Sequence, residues 1–108
     1  MSDNEMSLDF QKAFGLLNVN HYKAAIEYFQ QDLNENPNNF ASLNNMALAK
    51  IHIGIGQANP ALLLESIDNL ESAIQIFSEV YNYDGYFIAH ANLKWAKQEF
   101  EKLNKTKT

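Results

Sequence analysis

Tyr22-Lys23-Ala24-Ala25-Ile26-Glu27-Tyr28-Phe29-Gln30, closed shortly afterwards by Asn36-Pro37-Asn38-Asn39, is the stretch that decides how this chain folds. Its apolar positions Tyr22, Ala25, Ile26, Phe29 and Leu33 recur in steps of three and four, the period of one helix face. Pro37 cannot donate to a preceding turn and disfavours helix at Asn36. A helix is therefore expected from about His21 to Asn34, with a stop behind it.

Working outward, the same period runs through nearly all of the 108 residues. Upstream, Phe10, Ala13, Phe14 and Leu17 mark a first helix from Leu8, ended by Asn18-Val19-Asn20. Downstream, a third helix is expected from about Asn38 to Ile53, carrying Phe40, Leu43, Met46, Ala47, Ala49, Lys50 and Ile53. The segment Gly54 to Pro60 reads as a helix cap and loop, with Pro60 near the next start. A fourth helix, about Ala61 to Tyr81, bears Leu63, Ile67, Leu70, Ile74, Phe77 and Tyr81. A second row on it is formed by Ala73, Ile76 and Val80. Asn82-Tyr83-Asp84-Gly85 is turn chemistry. The fifth helix, about Gly85 to Leu103, has the stripe Ala89, Leu93, Ala96, Phe100 and Leu103. Residues 1–6 and 104–108 are expected to fray. The whole predicts one all-α domain of five helices.

Composition narrows the function. There is no cysteine, so no disulfide, thiolate metal site or cysteine nucleophile is possible. Eight lysines and no arginine oppose thirteen carboxylates, for a net charge of −5. An acidic chain without guanidinium groups is not expected to bind nucleic acid. Nor is a membrane span expected, because apolar runs are broken far short of about 20 residues. The acidic start, Met1-Ser2-Asp3-Asn4-Glu5, lacks the basic and apolar regions of a signal peptide, so a cytoplasmic location is the expectation. Fourteen asparagines read as compositional bias as much as chemistry.

The stretch from Tyr22 to Asn39 closely resembles the second helix and exit turn of a tetratricopeptide repeat. Leu43-x2-Met46-Ala47-x2-Lys50 resembles the opening half, where that family prefers an aromatic, Leu, Gly or Ala, and Tyr. Ser66-x3-Leu70 with Ala73 is a weaker second closing half. It lies 41 residues after Ala25, where the plain period is about 34. Gly54 to Pro60 would hold the excess. Phe40…Asn45-Met46-x2-Ala49-Lys50 is echoed by Phe87…Asn92-Leu93-x2-Ala96-Lys97. In the first helix, counting back from Ala25 puts Asp9 and Lys12 at core sites, whereas sliding by one gives the better Phe10-x2-Ala13-Phe14-x2-Leu17. The resemblance spans nearly the whole chain as two and a half repeats. It implies antiparallel helix pairs in a short right-handed α-solenoid.

No catalytic constellation is visible. His21, His52 and His90 are scattered, and none sits in a metal-binding pattern such as HExxH. Glu65, Asp68 and Glu71 read as the solvated face of the fourth helix. Ser42, Ser66, Ser72 and Ser78 lie in no nucleophile elbow. The chain is read as no enzyme, with no cofactor and no metal.

Surface for binding remains. The resemblance implies a concave groove lined by the first helix of each pair, with Asn45 and Asn92 at equivalent places and Gln11 at the corresponding place in the first helix. Neighbouring groove positions would be Phe10, Phe14, Asn44, Leu48, Ile51, His52, Ala91 and Trp95. Trp95 and Phe87 lie off the main stripe of the fifth helix, which fits either a binding anchor or packing on the third helix. Without arginine, and with Lys12, Lys50, Lys94 and Lys97 in no matching pattern, a carboxylate-clamp cochaperone is not expected. The expected ligand is an apolar or amphipathic protein segment, with basic flanks to suit the negative charge. An adaptor or client chaperone is the first reading. A stoichiometric inhibitor or immunity protein that occludes a toxin, and a homo-oligomer through the unpartnered fifth helix, are the alternatives.

Overall fold

The computed structural model describes residues 7–106, and these form five α-helices and no strand. They are α1 (Leu8–Asn18), α2 (Tyr22–Glu35), α3 (Phe40–Gly56), α4 (Pro60–Glu79) and α5 (Tyr83–Thr106). Turns of three or four residues join them, and each helix packs on the next. α3 also touches α1 and α5, whereas α2 and α4 do not meet. α1, α3 and α5 thus lie side by side as one layer. The body is elongated, 54 × 29 × 20 Å.

Packing follows the periodicity. Ala13, Ala25, Ala47, Ala73, Ala89 and Ala96 are wholly buried at the helix seams. Such small side chains let helix backbones approach, and ridges of larger ones fill the grooves beside them. Phe29, Ile51, Leu63 and Leu70 are the large apolar side chains closed off completely. Each stabilises the fold by about 2–3 kcal/mol relative to exposure.

Helix ends differ from expectation in a consistent way. Gly54 and Gly56 belong to the last turns of α3 rather than to a loop, and residues 104–106, expected to fray, continue α5. Residues 1–6 and 107–108 lie outside the described residues. α4 stops at Glu79, so Val80 and Tyr81 leave its apolar stripe and become exposed. Three helices end in the same motif. Asn20, Ala58 and Tyr81 adopt left-handed backbone, with φ of 64°, 48° and 55°. In each case the next N–H reaches back to a carbonyl in the last turn: His21 to Leu16 (2.9 Å), Asn59 to Gly54 (2.8 Å) and Asn82 to Phe77 (3.0 Å). This is the Schellman closure, whose left-handed residue is usually glycine. Only Asn20 is a residue that tolerates that conformation well.

The asparagines prove to be structural chemistry. Asn39 Oδ1 accepts from the N–H groups of Ala41 and Ser42, and Asn59 Oδ1 from Ala61 and Leu62. Asn82 Oδ1 accepts from Gly85 N. An asparagine therefore caps the start of α3, α4 and α5, where orphan N–H groups need an acceptor.

Two substitutions test these backbone assignments. Gly15 sits in exposed helix, where an added Cβ would meet nothing within 4 Å. Gly15→Ala and Ala58→Gly should each raise the unfolding free energy by about 1 kcal/mol, read by urea denaturation. A loss of stability in either would contradict the assigned helix or the left-handed cap.

Candidate functional site

The layer of α1, α3 and α5 holds most of the residues expected to line a groove. Phe10 and Ile51 are corrections: Phe10 faces the core with its ring 5.9 Å from that of Phe29, and Ile51 is fully buried. Phe10 is 7% exposed and Ile51 has no exposed surface, so they do not offer the groove surface expected of them. Asn44 is also nearly buried, and its Oδ1 accepts a 3.1 Å hydrogen bond from Asn92 Nδ2. That bond ties α3 to α5. Asn45 and Leu48 are half-buried, Ala91 is exposed, and Phe14 is 43% exposed and stacked 6.0 Å from Phe10.

Across this layer the rings form a row. Tyr22 at the start of α2 lies flat on His52, with centroids 4.7 Å apart and planes within 5°. Trp95 of α5 also meets His52, with centroids 5.4 Å apart and planes at 76°. Tyr22 Oη donates to Asn20 Oδ1 at 2.9 Å, fixing the ring at the α1–α2 turn. His52 is exposed, while Tyr22 and Trp95 are half-buried. Trp95 packs against the core and keeps part of its surface in solvent. Tyr22 was read only as core. Nothing local in the sequence signals that it pairs with a residue 30 positions on.

Among the described residues one carboxylate is fully buried, and it is held by four hydrogen bonds. Asp32 of α2 accepts from Ser7 Oγ (2.5 Å) and Asn36 Nδ2 (3.2 Å) on one oxygen. Its other oxygen accepts from Ser42 Oγ (2.6 Å) and Asn39 Nδ2 (2.7 Å). Burial by itself pushes the Asp32 carboxyl up, but the hydrogen bonds from Ser42, Ser7, Asn39 and Asn36 outweigh it. They hold the group below its ordinary value. Ser7 also caps α1 and Asn39 caps α3, so Asp32 clasps three helices at one end of the body. A second buried charge, Lys50, donates to Asn69 Oδ1 at 3.0 Å and lies 3.4 Å from Glu65, joining α3 to α4.

Among the described residues no three His, Asp or Glu side chains come together as a metal set, and no buried side-chain N or O lacks a hydrogen-bond partner. No helix among them is long and apolar enough to cross a membrane. No protein-family model, no curated protein and no solved structure matches this chain.

Sequence reasoning flagged Phe87 but missed Tyr81 and Tyr83, which stand with it at the α4–α5 corner and are among the most exposed large side chains described. The signal lay in the turn itself. Aromatic residues on both sides of Asn82 are unusual where turn chemistry favours small polar ones.

Proposed function

We propose that this chain is a non-enzymatic protein-interaction module, a short tetratricopeptide-like α-solenoid of two and a half repeats. It takes a peptide or helix of a partner on the α1, α3 and α5 side and serves as an adaptor or client chaperone. The observation that supports this reading is the ring cluster Tyr22–His52–Trp95, which links the start of α2 to α3 and α5 and in which His52 is exposed. Buried-edge tryptophans of this kind are the side chains on which binding energy concentrates. Phe14, Leu48 and Ala91 add apolar surface to the same layer, and Asn45 offers both a donor and an acceptor to an extended ligand backbone.

Trp95→Ala is expected to weaken partner binding by about 2 kcal/mol while leaving the helical signal intact. Titration calorimetry with the purified partner, beside circular dichroism of the variant, reads both quantities. Unfolding with unchanged affinity in the folded fraction would make Trp95 a core residue and overturn the assignment.

A further inference from the structure

The whole net charge of the chain resides in one segment. Between Pro60 and Leu93 stand Glu65, Asp68, Glu71, Glu79 and Asp84 with no lysine. Elsewhere in the sequence eight carboxylates stand against eight lysines, one of which, Lys50, pairs with Glu65 of this segment. At the corner of this acidic segment, where α4 turns into α5, lies a hollow of about 380 Å3 lined by Phe77, Ser78, Tyr81, Tyr83, Tyr86 and Phe87. Five of these six side chains are aromatic. Tyr81 is 77% exposed and Phe87 67%, and the exposed side chains of Val80 and Ile88 carry apolar surface beyond the hollow. Tyr81 is presented from left-handed backbone, an unusual conformation for a bulky residue.

We propose that this corner is a docking site for a lysine or arginine side chain carried on a partner protein. Its centre is the α4–α5 corner, about two helical turns along α5 from Trp95. Aromatic faces are electron-rich and attract a cation placed over them, more strongly when water is displaced. Glu79 and Asp84, next in the chain to lining residues Ser78 and Tyr83, add long-range attraction, and no lysine of the segment competes for the rings. The same charge argues against a second copy as occupant. Two chains meeting here by a two-fold axis would bring their acidic segments together.

The test is an NMR titration of the isotope-labelled full chain with a capped lysine-rich hexapeptide and with its counterpart bearing norleucine at every lysine. The lysine peptide should shift signals of residues 77–90 and little else, and raising salt from about 50 to about 500 mM should weaken it severalfold. The norleucine peptide should bind about tenfold more weakly, and the doubly substituted Tyr81→Ala, Phe87→Ala chain should lose about tenfold in affinity for the lysine peptide. Glu79→Gln with Asp84→Asn, which leaves the rings in place, should give a smaller loss that vanishes in high salt. Trp95→Ala should leave the peptide affinity unchanged, which separates this site from the aromatic row. Equal binding of the two peptides, full affinity in the ring variant, or concentration-dependent broadening of residues 77–90 in the free protein would each overturn the proposal.

Discussion

Asp32→Ala is expected to cost about 3 kcal/mol or more, because hydrogen bonds to a charged acceptor contribute about 1.5–3 kcal/mol each and four are lost together. The four are not additive, since Ser7, Asn36 and Asn39 lie near solvent and can turn to water. Ser42 cannot, for it is wholly buried. Domains of this size are stable by about 5–15 kcal/mol, so the midpoint of thermal unfolding should drop by roughly 15 °C. Acid gives an independent readout. The carboxyl is depressed in the folded state, so its contribution is present above the unfolded value of about 4 and is lost as pH falls through the folded value. Stability of the parent protein should therefore fall on acidification below about pH 4. Asp32→Asn, already destabilised at neutral pH, should show a flatter profile there. A variant as stable as the parent, or one with the parent's full acid dependence, would remove Asp32 from its place at the junction of α1, α2 and α3.

The second large effect belongs to the α4–α5 crossing. A Cβ at Gly85 would fall inside the van der Waals envelope of the Phe77 ring. Phe77 is nearly fully buried and its ring centroid lies 4.5 Å from that of Phe40, so it has little room to give way. Overpacking of this kind costs about 1–3 kcal/mol, and alanine's advantage in a helix returns less than about 1. Gly85→Ala should accordingly destabilise by about 2 kcal/mol, read by denaturant midpoint at unchanged slope. Adding Phe77→Leu, itself destabilising in the parent, should recover part of the loss, since a side chain reduced beside the new methyl relieves the clash. A neutral Gly85→Ala would mean that α5 stands further from α4 than the geometry requires.

These sites show where sequence reasoning reaches and where it stops. The five helices were legible because Ala25, Phe29, Leu43, Leu70 and Ala96 sit at helical spacing and Pro37 and Asn82 interrupt it. Helix ends were less legible: the left-handed closing residues are Ala58 and Tyr81, which carry no local signal, whereas glycine would have announced them. Gly54 and Gly56 pointed to a loop, yet both belong to α3, where Gly54 is packed closely beside Leu63 and Gly56 is exposed. Of the expected binding residues, Phe10 was also placed among the core sites of α1, and both it and Ile51 are buried. The clasp around Asp32 and the stack of Tyr22 on His52 are long-range pairings, and periodicity within a helix says nothing about them.

The central claim, that the α1, α3 and α5 side holds a partner, is open to a direct measurement. A photoreactive amino acid placed at Ala91, which is exposed about one helical turn before Trp95, is compared in the native cells with the same group at exposed Glu71 on α4. The account predicts one discrete crosslinked species from position 91, absent from position 71 and lost when Trp95→Ala is added. No crosslink from position 91, or the same species from both positions regardless of Trp95, would contradict it.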